Sequence, residues 1–246
     1  MTKTAIVTGA AGGVGRAVVA RLAAQGWQLI VTSRQAEHLT AAFGDQHLQV
    51  VADCSTPAGA RQILEAAREH QMQPTALAHC VGNIRLGAMH RMSEADFNDC
   101  LSANLISAFH TLAAFVGALR EARSPGAAVL VSSAAARIGT PNHEAVAATK
   151  AGLEGMVRGA AATYAANAIR INAVAPGIME TPASAGVIAS PAAREGAARQ
   201  YPLPGIGSPD ELAELMVWLL SDAAVRFTGQ VWSLDGGFSS IRPLVK

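Results

Sequence analysis

Thr4–Ser33 reads TAIVTGAAGGVGRAVVARLAAQGWQLIVTS. Thr4–Thr8 (TAIVT) is a short apolar run rich in the residues that favour a buried strand. Gly9-Ala-Ala-Gly-Gly-Val-Gly15 follows, and then a helical stretch from Arg16 to about Gln25. Gly26 ends that helix, as a C-terminal glycine does, and Gln28–Ser33 reads as a second strand. Strand, glycine turn, helix and strand make a βαβ unit, parallel and right-handed by the crossover rule. The glycines permit a tight turn and let backbone N–H groups approach a pyrophosphate at the helix N-terminus, where the helix dipole favours an anion.

The alternation continues outward from this unit. Leu48–Ala52 reads as a strand, Pro57–His70 as a helix and Thr75–Cys80 as a strand. Helices cover roughly Ser93–Arg120, and Val129–Ser133 is the next strand. The helix Asn142–Ala166, the strand Ile169–Val174, the helix Pro209–Ser221 and the strand Gln230–Leu234 complete the chain. The spacing predicts an α/β fold, a doubly wound seven-stranded parallel sheet with helices on both faces. It is read as a single domain over 1–246, without linker or repeat.

Composition narrows the function classes. Among 246 residues, half are hydrophobic, 15% are charged and the net charge is +1. That balance gives no electrostatic reason to expect nucleic acid or an acidic lipid surface, and 4% aromatic content leaves little for base stacking. No run reaches the ~18 apolar residues of a membrane span. Cys54, Cys80 and Cys100 stand apart without CxxC spacing, so no metal is expected and reduced thiols in a cytoplasmic protein are.

A second stretch, Val129–Lys150 (VLVSSAAARIGTPNHEAVAATK), carries the chemistry. A buried strand delivers the hydroxyls of Ser132 and Ser133, and the following helix delivers a cation, Lys150. One helical turn before Lys150, on the same face, stands Val146.

Together these residues resemble the short-chain dehydrogenase/reductase family in its compact single-domain form, over nearly the whole chain. The resemblance rests on Thr8-Gly9-x-x-x-Gly13-x-Gly15, Asp53, Asn104 in SANLISAF, Ser133, Lys150, Pro176-Gly177-Ile178-Met179-Glu180-Thr181 and Asp235-Gly236-Gly237. It implies a Rossmann fold and a dinucleotide pocket built by Gly9, Gly13, Val14, Gly15, Ser33, Arg34, Asp53, Cys54, Lys150, Pro176, Gly177, Ile178 and Thr181. It implies that Asp53 bonds the adenine, that Lys150 grips the nicotinamide ribose and that Ser133 orients the substrate. Asn104 would hold a proton-relay water. Members that use NAD usually carry an acidic residue after the second strand. Here Arg34 stands there and can bind a 2′-phosphate, so NADP(H) is expected as cofactor, with NAD(H) possible; the alternative is an Arg34 that stacks on adenine or faces solvent.

Two places depart from the family pattern. His79-Cys80-Val81-Gly82 replaces NNAG, for which local repacking is expected. Val146 falls where the pattern has its proton-donating tyrosine, and losing a general acid typically costs about 10²–10⁴-fold. His143, about 4.5 Å before Val146 along a helix, is the candidate replacement acid, in a first turn capped by Asn142. By the resemblance, a substrate lid is expected around 182–202; Tyr201, after its variable stretch Ala183–Gln200, is expected either to swing in or to pack as lid wall. Tyr164, about 21 Å beyond Lys150, is out of range. The expectation is an oxidoreductase with catalytic residues Ser133, Lys150, Asn104 and His143. Its partner is a small, fairly apolar molecule rather than nucleic acid or membrane, and it assembles as a homotetramer or homodimer. The alternative is a catalytically impaired dinucleotide-binding protein, a cofactor sensor or assembly subunit.

Overall fold

The computed structural model describes residues 3–242. Seven strands form one parallel sheet, as the alternation predicts, and their order is β3-β2-β1-β4-β5-β6-β7. In chain order the elements are β1 (Thr4–Thr8), α1 (Gly13–Ala24), β2 (Gln28–Ser33), α2 (Ala36–Phe43), β3 (Leu48–Val51), α3 (Pro57–Glu69), β4 (Ala76–His79), α4 (Glu94–Leu101), α5 (Ser107–Glu121), β5 (Gly126–Val131), α6 (Glu144–Tyr164), β6 (Ile169–Pro176), α7 (Pro191–Ala198), α8 (Pro209–Leu220) and β7 (Val231–Leu234).

The central strands are mainly apolar and buried because both faces are covered. Along β1, Ala5 and Val7 pack under α1, α2 and α8 with Val18, Leu22, Leu39 and Met216. Ile6, between them, packs on the opposite face with Ile63, Phe115 and Leu153 of α3, α5 and α6. The stretch Glu94–Glu121 is long and apolar enough to cross a membrane by length and composition, which the sequence reading missed. Its Leu112, Phe115, Val116 and Leu119 are taken by the second core face.

Strand order reverses between β1 and β4, which pair in register from Ala5↔Ala76 to Thr8↔His79. Chains leaving these two strands diverge and open a crevice at their C-terminal ends, the general location of ligands in such sheets. His79 closes the base of that crevice and is fully buried. Its Nδ1 lies 2.9 Å from Thr8 Oγ1 and its Nε2 lies 3.2 Å from Ser107 Oγ. Ser107 Oγ donates to Ala103 O at 2.6 Å, so it accepts from Nε2–H, and Nδ1 accepts from Thr8. The expected repacking at His79-Cys80-Val81-Gly82 is thus a neutral histidine tying β1 to α5.

Burial first, and the charge of Lys150 second, lower the His79 pKa to about 3 from 6.5. The unfolded chain takes up a proton below about 6.5 while the folded chain does not. This contribution is therefore fully present above that pH and lost as pH falls toward 3. In urea titrations the wild type should lose stability below pH 6.5 more steeply than a His79→Asn variant, by up to about 1.4 kcal/mol per pH unit. Equal pH slopes would contradict the assignment.

Candidate active site

The glycine turn is built for close approach. Gly9 has φ +62°, and a Cβ there would lie 2.9 Å from the backbone of Cys80 and Val81. Gly15 presses on the backbone of Gly9 and Ala10, and a Cβ on Gly13 would come within 2.9 Å of Thr181 Cγ2. α1 has Gly12 at its N-cap, no side-chain cap and no acidic residue in its first turn. Its first N–H groups are therefore open to an anion. Val14, among the expected cofactor residues, packs its side chain on the core.

That cleft, of about 380 Å³, is lined by Gly9, Gly12, Ser33, Arg34, Asp53 and Cys54 among others. Arg34 is exposed on its wall, joined by His38, which sequence reasoning missed because it sits on α2, an unanticipated helix. Burial acts to raise the Asp53 pKa. Hydrogen bonds from Ser55 Oγ (2.7 Å) and Ser55 N (2.9 Å), together with the Arg34 charge, outweigh it and hold the carboxyl below its ordinary value. Cys54 is buried beneath, its Sγ 3.8 Å from Thr32 Oγ1, and burial pushes its thiol up.

Asn104 lies in a π-helical turn, Ser102–Ile106, between α4 and α5. Such turns absorb one extra residue and recur at functional sites. The Asn104 side chain is fully engaged: Oδ1 accepts from Asn83 N and Nδ2 donates to Asn83 O, both at 3.1 Å, and Nδ2 also lies 3.1 Å from Cys100 Sγ. Asn83 Nδ2 in turn donates to Asp99 Oδ2 at 2.8 Å, and Arg85 Nε donates to the same oxygen at 2.8 Å. Asn104 therefore fixes the loop after β4. Lys150 is buried and donates to Val131 O at 2.7 Å. Gly82 of the cleft wall stands against both residues: a Cβ on it would lie 2.7 Å from Asn104 Oδ1 and 3.2 Å from Lys150 Nζ.

A second cavity, of about 150 Å³, brings together Ser133, His143, Val146, Gly177, Ile178 and Tyr201. Ser133 Oγ accepts from Ala135 N at 3.2 Å. Val146 is buried, packed with Cys100, Ala135 and Ala145. The expected cap is corrected: α6 begins at Glu144 with His143 at the N-cap, while Asn142 turns the chain with φ +62°. His143 Nδ1 donates to Pro141 O at 2.8 Å, and the residue lines the cavity. Tyr201 stacks on Phe238 with ring centroids 5.1 Å apart and accepts from Ile178 N at 2.7 Å. The segment after β6 borders both cavities: Gly177 N donates to Leu234 O at 3.1 Å, and Thr181, its N–H on Ser184 Oγ, covers Gly13.

The Enoyl-(Acyl carrier protein) reductase family model matches residues 9–239. The chain is 31% identical over 238 residues to the 3-oxoacyl-[acyl-carrier-protein] reductase FabG of Escherichia coli, covering 96% of each. The chain belongs to the short-chain dehydrogenase/reductase family. It is 33% identical over 249 residues to the cis-4-hydroxycyclohexanecarboxylate dehydrogenase of Sinomonas cyclohexanicum, covering 97% of each. Among solved structures of this fold, ElxO with NADP bound superposes with a TM-score of 0.89 at 23% identity, over 98% of this chain and all of that one. Short-chain dehydrogenase/reductases are oxidoreductases, and the doubly wound sheet and its crevice are theirs.

Burial lowers the Lys150 pKa to about 8 from 10.5. The unfolded chain holds this proton up to about 10.5, so between pH 8 and 10.5 stability should rise with pH. In ligand-free protein labelled with 13C at lysine Cε, the Lys150 resonance should titrate near pH 8. A midpoint above 10 would show that Nζ is far better solvated than its burial against Val131 implies.

Proposed function

We propose that this chain is an NADP(H)-dependent oxidoreductase that moves hydride to or from a small, fairly apolar carbonyl, alcohol or activated alkene, using an atypical proton donor. The observation that carries the reading is the uncapped, acid-free N-terminus of α1 opening on a cleft with Arg34 and His38 on its wall. Such a terminus suits a pyrophosphate, and two nitrogenous side chains suit a 2′-phosphate. NADP(H), when bound, supplies or takes the hydride. Gly9, Gly13, Val14 and Gly15 would hold its pyrophosphate through backbone N–H groups, Ser33 and Arg34 its 2′-phosphate, and Asp53 and Cys54 its adenine side. Pro176, Gly177, Ile178 and Thr181 would border its nicotinamide end, and Lys150 its ribose. NAD(H) fits the same cleft with less charge to bind.

Ser133 would orient the reacting oxygen, Asn104 would keep the loop after β4 in place, and Lys150 would bring positive potential through Gly82. By the family pattern Val146 stands where the proton-donating tyrosine is expected. His143, which lines the same cavity, is the group proposed to exchange the proton, because an imidazole nitrogen can both accept and donate one. The cavity is small and mainly apolar in its lining, with Ile84, Ala135, Val187 and Phe238 on it. This fits compact substrates such as those named for the hydroxycyclohexane relative. The exposed small side chains of α6 (Ala148, Ala151, Gly155, Gly159 and Ala162) would let copies pack closely as a homodimer or homotetramer, in the cytoplasm where Cys54, Cys80 and Cys100 stay free. Buried Val146 favours a second reading, a catalytically impaired dinucleotide-binding protein.

The test is NADPH oxidation with cyclohexanone and cyclohex-2-enone. Turnover that falls about 10²-fold or more in His143→Ala supports the first reading. Saturable NADPH binding without turnover, restored by Val146→Tyr, supports the second. Arg34→Glu should weaken NADPH far more than NADH in fluorescence titrations, and equal loss would remove the 2′-phosphate assignment.

A further inference from the structure

Two hydroxyl-bearing residues line the small cavity, and a backbone N–H holds each hydroxyl. Ser133 Oγ accepts the Ala135 N–H, and Tyr201 Oη accepts the Ile178 N–H. Neither hydroxyl donates to any acceptor among the described residues, although both line one cavity of about 150 Å³. With a lone pair occupied by an N–H donor, each O–H is polarised and left to donate elsewhere. A ligand oxygen entering this cavity meets a wall that carries both residues.

The position of Tyr201 is enforced from two sides. Phe238 stacks on its ring. Gly177 leaves the room it occupies, since a Cβ there would lie 2.7 Å from Cε1 and 3.1 Å from Oη. Burial, partly offset by the Ile178 N–H, pushes the phenol above its ordinary pKa, so it keeps its proton at neutral pH.

We propose that Tyr201 is a substrate-binding residue whose hydroxyl, with that of Ser133, forms a two-donor site for the carbonyl oxygen of a small ketone. Donors fixed before the reaction stabilise the negative charge that develops on oxygen as hydride arrives. The site is indifferent to where the proton then comes from. This inference rests on the oxidoreductase reading for its substrate class but not for its test.

The test is the infrared C=O stretch of 13C-carbonyl cyclohexanone bound to the full chain with NADP⁺, where no hydride is available. Wild type should show a band at lower wavenumber than the ketone in water. Tyr201→Phe, which keeps the ring against Phe238, should return part of the shift, as should Ser133→Ala. Gly177→Ala, which keeps the hydroxyl but displaces the ring, should behave like Tyr201→Phe. A band equally shifted in wild type and Tyr201→Phe, or no bound band in wild type, overturns the proposal. A shifted band that depends on Tyr201, in a protein that never oxidises NADPH, leaves this site standing while the enzyme reading fails. Where turnover exists, Tyr201→Phe should lower kcat/KM by about 10²-fold or more without changing NADPH affinity.

Discussion

The contact on which the site depends is the approach of Gly9 to the backbone of Cys80 and Val81. It lies where β1 and β4 end side by side and their chains turn to opposite faces of the sheet. A side chain at position 9 would push the two loops apart, and φ of +62° is strained for any residue with a Cβ. With that contact made, α1 starts beside the crevice, the loop after β4 follows its edge, and His79 secures the floor beneath. The cofactor cleft is the space these three constraints leave.

Much of this was legible in the chain itself. Apolar runs bounded by glycine turns gave seven strands in the right order, because strands covered on both faces need continuous hydrophobicity. α2 was missed because Ala36–Phe43 is short and polar on one side, and α7 because Pro191–Ala198 is rich in alanine and glycine. β5 starts at Gly126, earlier than expected: Gly126, Ala127 and Ala128 have weak strand preference, and pairing with β4 and β6 decides for them.

The site was legible as a set of residues and not as a set of partners. Ser133, His143 and Val146 line one cavity, although His143 sits at the N-cap of α6 and not on the helix face that periodicity assigned it. The sequence could not show that Asn104 spends its amide on Asn83, that Lys150 rests on Val131 O, or that Tyr201 is tied to Ile178. Those are contacts between residues far apart in the chain, and no local pattern encodes them. The one available signal for Tyr201 was a lone tyrosine after a lid segment poor in aromatic residues.

The π-turn at Ser102–Ile106 has a genetic consequence. A one-residue insertion absorbed as a π-bulge leaves the helix before it and the helix after it facing as they did. Removing one residue from 102–106 would restore a regular helix, with α4 and α5 still presenting Cys100 and Phe115 to their neighbours. Within the turn, Asn104 would lose its aim at Asn83 and Cys100, and Ser107 its acceptor at Ala103 O. Here a deletion, ordinarily the most disruptive of lesions inside a helix, becomes one whose effect is concentrated in the turn beside the site.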